Sequence, residues 1–198
     1  HKLIVSANIA YGVSLDISDI PAAGIRRITK EDVDNFRAHN LVCKLVSYSR
    51  KHKNGNYCAW VQPTLFPQGA PESAVPSNYN LITLVGKYSG RMSFFGQGAG
   101  RFPTASAVLR DLSDVLSGQR VMMPQNCVRV TADCTGCGHP YYVRLPKAFA
   151  DQLPCDKVKE DGDTARVITK SITVKEMHDL AAQLRQQGAQ VFFAGIEE

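Results

Sequence analysis

The sequence of 198 residues lacks several features that would assign it to a class at once. It has no apolar run of about 18 residues, so we expect no transmembrane helix, and no secretory signal pattern opens the chain. It also lacks the long basic stripe with interleaved aromatic residues that a nucleic-acid-binding face usually needs. These absences predict a protein that binds neither a membrane nor a nucleic acid.

Charge and cysteine content also assign the protein to no particular class. The net charge of +5 comes from 23 basic and 18 acidic residues scattered along the chain. The one local cluster, Arg50-Lys51-His52-Lys53, is interpreted as a solvated hairpin tip. Six cysteines without a secretory signal indicate reduced thiols and a cytoplasmic location.

The first 118 residues alternate helical and extended patterns. Capping residues mark one helix start, because Thr29 is followed by Asp32 at the spacing of a capping box. Asn54-Gly55 predicts a hairpin turn, since type I′ turns need positive φ at both central positions. The predicted elements are a buried helix over 2–11 that Gly12 ends, strands over 41–50 and 57–62, an irregular proline-rich segment over 63–78, strands over 79–87 and 91–95, and a helix that starts at Pro103.

From residue 119 onward the pattern changes. A capping box of Thr173 and Glu176 opens a further helix that Gly188 ends. The other predicted elements are a strand over 141–145, a charged turn over 156–163, a strand over 164–173 and a strand over 191–194. The fold class is therefore α+β, with a mixed, largely antiparallel sheet covered by helices on one face and followed by a smaller α+β module.

Three alternate glycines, Gly96, Gly98 and Gly100, follow an apolar strand and precede the helix at Pro103. Glycine can take positive φ and lets the backbone approach a flat ligand closely. Proline suits the first helical position, and the amides of that first helical turn carry a partial positive charge. The segment is a candidate ligand loop.

The run Gly-x-Gly-Ala-Gly-x-x-Pro-Thr-Ala-Ser-Ala-Val over residues 96–108 resembles the loop and helix of homoserine dehydrogenase that face the nicotinamide cofactor. The resemblance covers about the first 118 residues. It includes Lys2-Leu3, Gly24-Ile25-Arg26-Arg27-Ile28-Thr29, Lys44-Leu45 and Gln62-Pro63-Thr64-Leu65-Phe66-Pro67, in the order found in the family.

The resemblance implies NAD(P)-dependent interconversion of L-aspartate 4-semialdehyde and L-homoserine, a step of threonine and methionine biosynthesis. It makes Lys2 the proton-transfer lysine, because Lys2 matches the last residue of the family's Asp-x-x-x-Lys signature. It implies a homodimer formed through the sheet. The cofactor, NADP or NAD, would lie against Gly96, Gly98, Ala99, Gly100 and Thr104.

The signature aspartate and the nucleotide-binding domain with its Gly-x-Gly-x-x-Gly fingerprint would precede His1. We therefore expect a fragment that turns over nothing by itself. The alternative is a regulatory or interaction module that derives from the same family and no longer catalyses.

The expected domains are 1–118, a substrate-binding and dimerisation domain, and 119–198, a module that resembles a reduced ACT domain. Many homoserine dehydrogenases carry an ACT domain at this place. The family's Asp-x-Pro-Gly turn is replaced here by Leu145-Pro146-Lys147-Ala148, which argues against amino-acid binding by this module.

Cys134, Cys137 and His139 have a spacing that could ligate zinc, with Cys127 or Cys155 as a fourth ligand. The sequence has no second Cys-x-x-Cys, so a glycine-rich turn with reduced thiols is the alternative. On the sequence alone we expect no metal.

Overall fold

The computed structural model describes residues 1–119 and 127–197. In chain order the helices and strands are α1 (Lys2–Tyr11), β1 (Val13–Ser14), α2 (Lys30–Ala38), β2 (Leu41–Lys51), β3 (Tyr57–Pro67), β4 (Tyr79–Gly86), β5 (Gly90–Gln97), α3 (Arg101–Leu116), β6 (Val128–Arg129), β7 (Gly138–His139), β8 (Tyr141–Pro146), β9 (Cys155–Asp161), β10 (Thr164–Thr169), β11 (Ile172–Thr173), α4 (Val174–Gln186) and β12 (Phe192–Ile196). Short 3-10 helices span Ile17–Asp19 and Lys147–Gln152. No helix in these ranges is long and apolar enough to cross a membrane.

The chain forms two compact units, one of residues 1–68 with 127–197 and one of residues 69–119. The first unit is built on a six-stranded sheet of order β2-β3-β12-β8-β10-β9. All neighbours in it are antiparallel except β3 and β12, which pair in parallel. The α+β class with a largely antiparallel sheet is confirmed.

Helices cover both faces of this sheet, and not one face as the sequence predicts. Alternate residues of a strand point to opposite faces, so each strand contributes to two cores. Tyr141, Val143 and Leu145 form a core with Met177 and Leu184 of α4. The opposite face carries Tyr142, Phe192 and Leu65, which pack against Phe36 of α2. The helix α1 adds Ala7 to a third cluster with Tyr57 and Ala59 at the start of β3.

The proline-rich segment differs from the prediction that residues 63–78 are irregular, because β3 runs on to Pro67. Leu45 faces Pro63 and Leu41 faces Pro67 in the β2–β3 register. The Val61 amide donates to the Pro21 carbonyl, away from β2. Because N–H directions alternate along a strand, Pro63 also points its nitrogen away from β2, and no bond to β2 is lost.

The charged segment after Cys155 also differs from the prediction. Residues 155–161 form the edge strand β9, paired with β10, and the predicted turn over 156–163 is wrong. All of β9 after Cys155 is exposed. Edge strands tolerate, and are protected by, charged side chains, so a sequence rich in Lys, Asp and Glu can still be a strand.

The helix α1 and its end at Gly12, with φ of 67°, agree with the sequence. Its predicted burial is wrong for this chain. Ala7 is its one buried residue, and Val5 and Ile9 are 54% and 44% exposed. A composition of small apolar residues therefore predicted the helix correctly but not its packing.

The second unit contains the β4–β5 hairpin and α3. The helix begins at Arg101 and not at Pro103, with Gly100 as its N-cap. Pro103 is thus the third helical residue, still within the first turn, where an amide has no intrahelical partner. The apolar stripe of α3 is exposed, with Leu109, Leu112 and Val115 at 66%, 51% and 71%.

The boundary that the sequence predicts at residue 118 stays a prediction. Strands β8, β9, β10 and β12 are joined by a 3-10 turn, a hairpin and α4, and their order is β12-β8-β10-β9. The same sheet continues through β3 into β2, which belong to the first predicted domain. The ACT-like character of 119–198 also stays a prediction.

Both predicted capping boxes are present, at Thr29 with Asp32 and at Thr173 with Glu176. Asp32 does more than cap α2. Its buried carboxylate accepts hydrogen bonds from the Tyr142 hydroxyl at 2.7 Å and from the Arg144 Nε at 2.9 and 3.0 Å. The carboxylate therefore ties α2 to β8.

Replacement of Asp32 by Ala should destabilise the protein by about 3–5 kcal/mol, since it leaves the Arg144 guanidinium without its buried partner. Urea unfolding followed by circular dichroism measures this change in the free energy of unfolding. Asp34→Ala is the control, because Asp34 pairs with Lys30 at the exposed surface of the same helix and should cost less than about 1 kcal/mol. Equal losses from the two variants would contradict the assignment.

Candidate functional site

The predicted proton-transfer residue Lys2 is the first residue of α1. Its side chain is exposed, and the first turn of α1 contains no acidic residue. A cation at the N-terminus of a helix opposes the helix dipole, so this is an unfavourable place for a purely structural lysine. The structure places Lys2 in the first unit, where a ligand can reach it from solvent.

The glycine loop connects β5 to α3 in the second unit. Gly98 donates its amide to the Asn78 carbonyl at 2.8 Å, and the Asn78 side chain donates to the Ala99 carbonyl at 2.6 Å. Gly100 has φ of 120° and ψ of 162°, a conformation essentially confined to glycine. The Thr104 amide donates back to the Gly100 carbonyl at 3.1 Å. Asn78 therefore holds a loop whose shape needs glycine.

As the N-cap, Gly100 has no side chain with which to bond the first amides of α3. Those amides are where an anionic or polar ligand group is favoured. Gly96, Gly98, Ala99, Gly100 and Thr104, the five predicted cofactor contacts, all lie on the short path from the end of β5 to the first turn of α3. Their proximity follows from their neighbouring positions in the sequence, and their contact with a cofactor stays a prediction.

A buried polar network lies on the first unit's sheet and was not predicted from the sequence. The Gln62 side chain, fully buried on β3, donates from Nε2 to His139 Nε2 at 3.0 Å and to the Tyr141 hydroxyl at 3.4 Å. Its Oε1 accepts from His178 Nε2 at 3.1 Å. Gln62 therefore joins β3, β7, β8 and α4.

Burial keeps this network neutral. It lowers the pKa of His178 to about 4, with a smaller effect from the nearby Arg185 guanidinium. It also lowers the pKa of His139 and raises that of the Tyr141 hydroxyl. Neutral histidines fit the donor and acceptor roles around the glutamine amide, since one ring must accept and the other must donate.

Sulfur atoms and an imidazole converge at the other end of β3. Cys58 Sγ lies 3.1 Å from Cys134 Sγ, and Cys137 Sγ lies 3.5 Å from His52 Nε2. The ligand atoms of His52, Cys58 and Cys137 all lie within 4.8 Å of one another. Hydrogen bonding to Cys134 and burial raise the pKa of Cys58, and burial raises that of Cys137.

The membership of this cluster differs from the set drawn from the sequence. Cys134 and Cys137 are in it, whereas His139 bonds Gln62 and Cys155 packs beside the α4 core. The sequence reasoning missed His52 and Cys58, which lie at the β2–β3 hairpin tip and on β3. Both residues are far from Cys134 in the sequence, so their spacing gave no signal of a shared cluster. His52 was interpreted as a solvated tip residue, but its ring also contacts Cys137.

Residues 1–113 match the family model described as homoserine dehydrogenase. Because this match covers more than half of the chain, the protein belongs to the homoserine dehydrogenase family, a family of oxidoreductases that use nicotinamide cofactors. The resemblance carried by the glycine loop and the scattered motifs is thereby confirmed.

Individual relatives agree. The homoserine dehydrogenase of Bacillus subtilis is 31% identical over 126 residues, which are 64% of this chain and 29% of the relative. That of Helicobacter pylori is 27% identical over 181 residues, which are 87% of this chain and 42% of the relative. The chain thus spans less than half the length of these two curated relatives.

Solved structures show the same fold. A homoserine dehydrogenase from Thiobacillus denitrificans superposes with a TM-score of 0.72 at 24% identity, over 100% of this chain and 52% of that chain. The Staphylococcus aureus enzyme at pH 6.5 gives a TM-score of 0.64 at 21% identity, over 100% of this chain and 51% of that chain.

Proposed function

We propose that this chain is the substrate-side part of an NAD(P)-dependent homoserine dehydrogenase, which interconverts L-aspartate 4-semialdehyde and L-homoserine. The observation that carries the proposal is the family match over residues 1–113, which includes both Lys2 and the glycine loop. By this proposal the protein serves threonine and methionine biosynthesis in the cytoplasm. The cofactor, NADP or NAD, supplies or accepts the hydride.

The chain's own residues have two tasks in this proposal. Lys2 gives a proton to the aldehyde oxygen during reduction and takes it back during oxidation. Its exposure and its position at the start of α1 support this role. The glycine loop holds the nicotinamide side of the cofactor. The support for this role is that Gly100 has a backbone conformation suited to glycine and carries no side chain that would block a ligand.

A homodimer through the sheet is part of the same proposal. The cross-strand pairs Ile82–Phe94 and Leu84–Met92 place four apolar side chains on one face of β4–β5. They are exposed by 42–60%, and contiguous exposed apolar surface of this kind marks interaction sites. Sedimentation velocity of the full-length protein should give a dimer, and a monomer at micromolar concentration would contradict the proposal.

Lys2→Ala in the full-length protein should lower kcat by about 10²–10⁴-fold, the usual contribution of a positioned proton donor. The dissociation constant for the nicotinamide cofactor should stay unchanged, because the lysine acts on the aldehyde oxygen. Stopped-flow turnover and fluorescence titration of the cofactor measure the two quantities separately.

Lys30→Ala is the matched control, because Lys30 is an exposed lysine in the first turn of another helix. It should leave kcat unchanged. Unchanged turnover in Lys2→Ala would remove Lys2 from the mechanism. A full-length wild-type protein without any dehydrogenase activity would instead support the non-catalytic regulatory or interaction module.

Gly100→Ala should weaken cofactor binding about tenfold or more, because a Cβ at this φ and ψ costs about 1–3 kcal/mol and forces the loop to change shape. Gly118→Ala is the control. Gly118 also has positive φ, 68°, and follows the other end of α3. The Gly118→Ala substitution introduces backbone strain but does not change the glycine loop. The cofactor dissociation constant of this variant should therefore stay as in the wild type. Equal effects of the two variants would contradict a cofactor role for the loop.

A further inference from the structure

We propose that His52, Cys58, Cys134 and Cys137 form a structural zinc site that fastens the β2–β3 hairpin tip to the loop before β7. The site lies within the first unit, and it does not depend on the dehydrogenase activity. Three chain segments contribute: the hairpin tip with His52, β3 with Cys58, and the Cys134-Thr135-Gly136-Cys137 turn.

One measured distance suits a tetrahedral ion, and the other is shorter than such an ion requires. With Zn–S of about 2.3 Å and Zn–N of about 2.0 Å, neighbouring ligand atoms of a tetrahedron lie about 3.5–3.8 Å apart. The Cys137 Sγ to His52 Nε2 distance is 3.5 Å, and the Cys58 Sγ to Cys134 Sγ distance is 3.1 Å. Those two sulfurs must separate by about 0.7 Å to admit the ion. Cys134 must also approach the other ligands, because the group of ligand atoms within 4.8 Å of one another consists of His52, Cys58 and Cys137.

Backbone hydrogen bonds hold the cysteine turn in place without a metal. The Cys137 amide donates to the Cys134 carbonyl at 3.2 Å, closing the turn. The Asp133 amide donates to the Tyr57 carbonyl at 2.6 Å, and the Val174 amide donates to the Cys137 carbonyl at 2.9 Å. The turn is therefore docked on β3 at one end and on α4 at the other.

The hairpin tip is fixed as well, because the His52 amide donates to the Asn56 carbonyl at 2.8 Å. Cys58 and Cys134 are buried, whereas His52 and Cys137 are half-buried. Two ligands thus lie inside the fold and two lie at the surface, which gives the ion a route of entry. The surrounding residues Trp60, Val174, Val46 and Tyr48 form an apolar shell.

The chemistry of the donor set favours zinc. Three thiolates and one imidazole make a closed four-coordinate set of the kind found in structural zinc sites, with no position left for a substrate. Binding of Zn²⁺ to three cysteines and a neutral histidine releases three thiol protons and leaves one net negative charge. Arg50 lies close enough to Cys137 to interact with it electrostatically and offsets this charge.

A disulfide between Cys58 and Cys134 is the competing explanation. It accounts for two sulfurs and leaves unexplained why Cys137 and His52 meet at the same point. The zinc site accounts for all four residues, including a histidine at the tip of an otherwise basic and solvated hairpin.

The first test is the metal content of the full-length protein, purified without chelators and measured by inductively coupled plasma mass spectrometry. We expect about one zinc ion per chain, and a fall to about a fifth of that or less in Cys58→Ser, Cys137→Ser and His52→Ala. Cys43→Ser, Cys155→Ser and His139→Gln are the matched controls and should retain zinc. Loss of zinc from Cys155→Ser or His139→Gln, with retention in Cys58→Ser and His52→Ala, would overturn this ligand set.

A second measurement needs no variant, so it remains informative where a substitution prevents folding. Alkylation of the native wild-type protein, mapped by mass spectrometry, should label Cys58, Cys134 and Cys137 faster after zinc is removed with a chelator. Labelling of Cys43, Cys127 and Cys155 should not respond. Zinc far below one equivalent, or a Cys58–Cys134 disulfide in protein isolated from a reducing cytoplasm, would overturn the proposal.

Discussion

The burial of β3 on both faces is the constraint on which the first unit depends. This strand lies between β2 and β12, and ten of its eleven residues are buried or half-buried. One face packs against α1 and α2, and the other carries Cys58, Trp60 and Gln62. A polar side chain on such a strand must find a partner inside the protein, so β3 determines where the network and the cysteine cluster lie.

The buried polar side chains of Gln62 and Cys58 find their partners inside the protein in different ways. Gln62 uses its amide to connect two neutral histidines and a tyrosine from three other elements. Cys58 contacts Cys134 of the cysteine turn, which is distant from it in the sequence. The parallel pairing of β3 with β12 brings the end of the chain onto the same strand. The segments before and after residue 118 are therefore joined by one sheet, whatever their evolutionary origin.

Local signals in the sequence predicted the elements well. Thr29 with Asp32, Thr173 with Glu176 and the glycines after α1 and α4 each determine a helix end through nearby bonds. Asn54-Gly55 marks the hairpin tip, but of the two only Gly55 has positive φ, so the turn is not the type I′ turn that the sequence predicts. The prolines of β3 and the charges of β9 misled the prediction, because their effect depends on which neighbour each strand has. The glycine loop was found because its residues are contiguous, whereas His52 and Cys58 approach Cys134 only after the sheet has formed.

The charged edge strand β9 limits how the protein can associate. A row of unpaired backbone groups would invite a second chain to add a strand there, but the lysines and acidic residues of β9 would have to give up their hydration first. Growth of the sheet into a continuous ribbon is thereby discouraged on this side. A partner that binds at this edge therefore has to do so through side chains and not by adding a strand.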